Sequence, residues 1–285
     1  GLTNVTITTS DSGGAGDNIV FSNAYGPMTA SASSTNKLIL NANDKIIFNQ
    51  SLDLKGGLDA TAGTDIDVNA KVRAASSMNV SAGGNIKVGY NGLVGEAGLE
   101  MAMAGGAQQI TAGNQLILEG TYNASSPVYI KSSGSQDITA NSISLTAGTS
   151  FSGNSASIEA AGAQTITTTA GNLTLAGSTN AEARIKSTTS QDLNISGNLS
   201  LTGGAGASAG GAIITAPTQD ISVGGTLTLT AGTGSTVDAY GMAAPAAIGY
   251  EGDSDITINV GSSVSLTGSN SINPAVIGSA VGTST

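Results

Sequence analysis

One apolar position recurs along most of this chain at a nearly fixed interval. The residue following a Gln-Asp-like pair is Ile110, Ile138, Ile166, Leu193, Ile221 and Ile256, with steps of 28, 28, 27, 28 and 35 residues. Upstream the beat is shorter: Leu38, Leu58 and Met78 stand 20 apart, as do Ile46, Ile66 and Ile86. A unit of this size cannot bury its own apolar face. Stacked units can, and a period of 20 to 30 residues therefore predicts a solenoid.

Each long unit carries three strand signals. Residues 136–139, 142–146 and 156–159 alternate apolar with small polar residues, the mark of a half-buried strand. The second-strand pairs are Leu116/Leu118, Ile143/Leu145, Leu173/Leu175, Leu199/Leu201, Leu227/Leu229 and Val264/Leu266. The third-strand anchors read as Ile130, Ile158, Ile185, Ile213, Ile248 and Ile277. Anchor to next first strand is then always 8 residues, which predicts one invariant corner. Second to third strand varies from 10 to 19, which predicts a corner that carries loops. The glycines opening that loop corner, as in 146–148, 201–203 and 230–232, suit positions of positive φ. The predicted fold is all-β: a right-handed parallel β-helix with three short strands per coil and roughly ten coils, a rod of about 50 Å at the usual strand spacing. One continuous solenoid is expected, with an irregular coil or cap over 1–37, short-period coils over 38–105 and long-period coils over 106–285.

Composition fits a narrow interior. The 285 residues include 41 Gly but no Trp, no Cys, no His and three Phe. Regular apolar positions argue against disorder for so Gly/Ser/Thr-rich a chain. The net charge is −10 and graded: residues 187–285 hold six acids and no base. No basic stripe exists to displace counterions from a nucleic acid or to hold an anionic membrane. No run approaches a transmembrane helix, so membrane insertion is not expected. The chain opens at Gly1 rather than Met, which suggests processing or an excerpt of something longer.

Two columns follow from the register. Gln108, Gln136, Gln164, Gln191 and Gln219, continued by Ser254, each precede a first-strand anchor by two, and stacked amides form hydrogen-bonded ladders that pin register. Ser144, Thr174, Ser200, Thr228 and Ser265 point outward as good solvent-side strand residues, with Ile117 breaking the file.

The phrases 134–138 (Gly-Ser-Gln-Asp-Ile), 171–175 (Gly-Asn-Leu-Thr-Leu) and 225–232 (Gly-Thr-Leu-Thr-Leu-Thr-Ala-Gly) resemble the repeat region of filamentous-haemagglutinin-type adhesins, the exoproteins of bacterial two-partner secretion. The likeness covers roughly residues 38–279. It implies a secreted bacterial structural or adhesive protein at the cell surface or outside the cell, serving adhesion, biofilm or matrix. The Asn-Pro-Asn-Leu-type motifs of that family's secretion domain are absent from this sequence.

A second function class is a glycan- or protein-binding module using the 230–250 loop, where Asp238, Tyr240, Met242 and Tyr250 are candidate contacts with a glycan or a host-surface partner. A second loop candidate spans Gly89 to Met103. A third class, a polysaccharide-active enzyme, finds no catalytic residues. Arg184-Ile185-Lys186 matches a short motif of polygalacturonase-like enzymes, but no His and no Asp-Asp pair accompanies it. No cofactor is expected, calcium apart. Asp220, Glu251, Asp253 and Asp255 are the calcium candidates, on the reading that Asp192, Asp220 and Asp255 stack in successive coils and repel. A β-helix end leaves unpaired strand edges. End-to-end self-association, or continuation in a longer chain, is therefore expected.

Overall fold

The computed structural model describes residues 4–9, 17–22, 28–30, 36–89, 95–120, 126–149, 153–206, 210–235, 243–249, 255–270 and 272–278. Among them every regular element is a β-strand, and no helix is long and apolar enough to cross a membrane. The strands form an 18-stranded and a 10-stranded sheet, and every strand pairing is parallel.

Three stacks account for all of them. The first runs through Val5–Thr8, Lys37–Ala42, Gly57–Ala62 and Met78–Ala82 to Asp255–Val260. The second runs from Ile19–Phe21 and Ile46–Phe48 to Val264–Thr267. Ala107–Glu119 and Ser135–Thr146 bend round the corner between these two stacks and belong to both, which merges them into the larger sheet. The third stack, Met28–Ala30 to Ala275–Ile277, stands alone as the 10-stranded sheet.

The alternation in sequence becomes alternation in burial. Ile46, Ile66, Ile86, Leu116, Ile143, Leu173, Leu199 and Leu227 follow one another in register along the second stack, all essentially buried. Leu52, Val72, Leu99, Ile130, Ile158 and Ile185 do so along the third. Parallel stacking places like on like, so each aliphatic side chain meets its equivalents above and below.

Three expectations about register need correction. The third-strand residue in register with Ile185 and Ile248 is Ile214, whereas Ile213 follows Arg184. The first-strand residue in register with Ile221 is Ile258, whereas Ile256 follows Gln219. The corner read as invariant is therefore 7 residues from Ile214 to Ile221 and 10 from Ile248 to Ile258. The cause is local. Ala212–Thr215 is buried at all four positions, so both isoleucines are apolar and buried and alternation cannot choose between them. In Asp255–Val260, Ile256, Ile258 and Val260 form an unbroken alternating run in which a two-residue slip keeps the same faces.

The loop-corner glycines also act differently from expectation. Gly203 and Gly232 do not adopt positive φ. A Cβ on Gly203 would strike the carbonyl oxygen of Ala244, and one on Gly232 that of Gly204. They are small because neighbouring layers pass close.

Candidate functional site

The amides form a continuous chain in the interior. Gln136 Nε2 donates to Gln108 Oε1 (2.7 Å), Gln164 to Gln136 (2.6 Å), Gln191 to Gln164 (2.6 Å) and Gln219 to Gln191 (2.7 Å). All five are at most 2% exposed, so nothing in solvent reaches them. Their second bonds go to the main chain at the corner from the third stack: Gln108 Nε2 to Leu99 O, Gln136 to Ile130 O and Glu159 O, and Gln164 to Lys186 O. The file is apolar at both ends. Val5, Leu38, Leu58 and Met78 precede the amides and Ile256 follows them. Gln219 Oε1 therefore faces Ile256 and is left without a hydrogen-bond partner.

The outward side of the third stack carries a second ladder, which the sequence reading missed. Asp53, Arg73, Glu100, Lys131, Glu159 and Lys186 occupy one register position in successive strands and alternate in sign. Arg73 bridges Asp53 (2.9 Å) and Glu100 (3.3 Å), Lys71 meets Glu100 (2.8 Å), and Lys131 meets Glu159 (3.1 Å). The signal was legible, since each of these residues directly follows a core anchor from Leu52 to Ile185. The Arg73 guanidinium, then Lys55, holds Asp53 below the usual carboxylate range. Tyr129 lies between Lys71 and Lys131, whose ammonium groups stand 5.9 and 6.0 Å from its ring. Its hydroxyl donates to Glu96 Oε1 at 2.6 Å. Burial, then that carboxylate, pushes the phenol well above its ordinary range.

Arg184 and Lys186 are half-buried and flank buried Ile185, as expected for strand residues around a core position. With Lys131, Glu159, Ser133 and Thr188 they line a hollow of about 260 Å³. Burial, then Arg184, lowers the Lys186 ammonium from its usual value.

The outward side of the first stack is uncharged along one file: Asn41, Thr61, Ser81, Thr111, Thr139, Thr167, Asn194, Ser222 and Asn259. The last four border an open groove of about 580 Å³. The expected hydroxyl file Ser144, Thr174, Ser200, Thr228 and Ser265 is in register on the second stack and follows Ile117.

Asp238, Tyr240, Met242 and Tyr250 lie outside the described residues, as do Glu251 and Asp253. In the second loop candidate, residues 90–94 also lie outside them, and Met103 is exposed. Asp192 and Asp220 are in register neighbours, but Asp255 is not their continuation: it pairs with Thr218, and Thr257 occupies the position next to Asp220. The slip that moves Ile256 into the glutamine file moves Asp255 two residues from the acidic file. Among the described residues no group of three or more acids could hold a metal ion.

No family model matches the chain, and no curated protein or solved structure is found similar to it.

Proposed function

We propose that the chain is a right-handed parallel β-helix of ten coils, and that it serves as a non-enzymatic structural segment of a secreted bacterial fibre or adhesin stalk. A parallel strand–connection–strand unit is almost always right-handed, which supports the hand. The observation that carries the structural role is the parallel register that runs from layer to layer, with one shift between Ala112 and Gln115. Aliphatic and amide files pass from layer to layer, and the outer surface of the described residues offers ion pairs, hydroxyls and amides. Such a stack is a stiff spacer, and the likeness to haemagglutinin-type repeats supports a role at the cell surface or in the biofilm matrix. Three measurements test this reading. Electron microscopy of the purified chain is expected to show rods whose width is constant along their length. Beads coated with folded chain are expected to be retained on bacterial or host-cell surfaces, and beads coated with heat-denatured chain are not. Equal retention overturns the adhesive role, and release of products from acidic polysaccharides overturns the non-enzymatic one.

A second reading, glycan recognition, is favoured by the groove beside Thr167, Asn194, Ser222 and Asn259. Hydroxyls and amides repeating at strand spacing suit the hydroxyls of an extended neutral sugar chain. A glycan array separates the sites. Loss of binding in Asn194→Ala and Asn259→Ala assigns the groove, and loss only on deletion of residues 236–242 assigns the loop.

A further inference from the structure

Resting on the rod reading, we infer that the first and last described layers are complementary, and that the strand Val5–Thr8 of a second copy seats on Asp255–Val260 as the next layer of the same parallel sheet. Among the described residues seven large apolar side chains are exposed, and six of them lie in the first or last layer: Val5, Ile7, Val20, Val264, Leu266 and Ile277. All but Val20 are end members of the inward files. Among the described residues the exposed large apolar side chains are thus concentrated in the first and last layers.

The files identify the occupant. Ile7 heads the file that ends in Ile258, and Val5 heads the one that ends in Ile256. Ile19 and Phe21 likewise head the files that end in Val264 and Leu266. Laid edge to edge, Val5-Thr6-Ile7-Thr8 repeats the in/out pattern of Ile256-Thr257-Ile258-Asn259 residue for residue. The outward file of Asn, Ser and Thr also passes without a break from Asn259 to Thr8 and on to Asn41. The glutamine file reinforces the match. A Gln at 256 would put a buried amide at the junction facing Val5, with no partner for it. Ile256 instead gives an apolar contact, at the cost of one orphaned acceptor on Gln219 inside the molecule. Parallel polarity admits only one arrangement, C-terminal edge to N-terminal edge. That contact is heterologous and does not close, so it propagates.

The chain contains no Cys, so disulfide trapping has no background. Thr6→Cys and Thr257→Cys, both on outward positions, are mixed under mild oxidation. The linked dimer is expected roughly a hundredfold faster than from Thr6→Cys with Gln109→Cys, which lies in the same outward file at mid-rod. Sedimentation of the unaltered chain is expected to show species that lengthen with concentration. Ile258→Lys, checked for unchanged circular dichroism, is expected to abolish them. Equal trapping rates, or rods of uniform length at every concentration, overturn the junction. Bead retention of the unaltered chain separates the two readings: retained rods that stay monomeric at every concentration sink the junction alone, and trapped but non-retained rods sink the adhesive role alone.

Discussion

Gln164 accepts from Gln191 and donates to Gln136 in a space closed to water. Replacing it with Leu fills a similar volume but strands one donor above and one acceptor below. Each orphaned group costs about 1–3 kcal/mol. Gln164→Leu is therefore expected to lower unfolding stability by roughly 2–5 kcal/mol in urea titration. Conversely, Ile256→Gln gives Gln219 Oε1 a donor and is expected to raise the stability of the isolated chain by about 1 kcal/mol. Asp192 and Asp220 stack as like charges on an exposed face. Asp220→Asn should thus be neutral or stabilising by up to about 0.5 kcal/mol, with the gain shrinking in high salt. The amide column was readable from spacing alone because its five members sit in units of near-constant length. Its end was not. The long, irregular insertion before Asp255 removes the count on which spacing depends, and the Ile-Thr-Ile run reads equally well in two registers.

The third stack is the element where charge is organised. Glu100 takes the ammonium of Lys71 and the guanidinium of Arg73 while only a fifth exposed. Glu100→Gln leaves both cations on one strand without their shared carboxylate. A loss of about 1–2 kcal/mol is expected from thermal denaturation. Lys55, more than half exposed beside Asp53, is the comparison: Lys55→Ala should change stability by well under about 1 kcal/mol. This alternation of sign is invisible in net charge, which averages an ordered ladder to near zero. The second stack was the more legible element. From Ile143 onward its apolar pairs each enclose a Ser or Thr, at 144, 174, 200, 228 and 265, so no aliphatic competes inside the pair. Ile213-Ile214 in the third stack offers such a competitor, and there the reading failed by one residue.

At the scale of the whole molecule, stability should be nearly flat across the middle of the pH range, since no His is present to titrate there. The limits come from the paired groups. Arg73 and Lys55 depress Asp53; burial works to raise Asp65, but Lys45 and Asn85 outweigh it and hold it low. Both carboxylates therefore contribute stability that is present above the ordinary Asp value of about 4 and is lost as pH falls through their lower folded values. Lys45 and Lys71 are raised, by Asp65 and Glu100 in first place, and their contribution is present below about 10.4 and lost as pH climbs past it. Melting temperature against pH checks this, and Asp65→Asn should lower the plateau and shallow the acid limb. The parallel pairing has one more consequence, a mechanical one. Main-chain bonds between layers point along the stacking direction, so a pull in that direction loads every bond of a layer at once. The yield point is then set by whichever layer is stitched most sparsely. Three-residue strands such as Ile46–Phe48, Ile66–Val68 and Ala275–Ile277 give the fewest stitches, and a layer built on them is the first expected to yield.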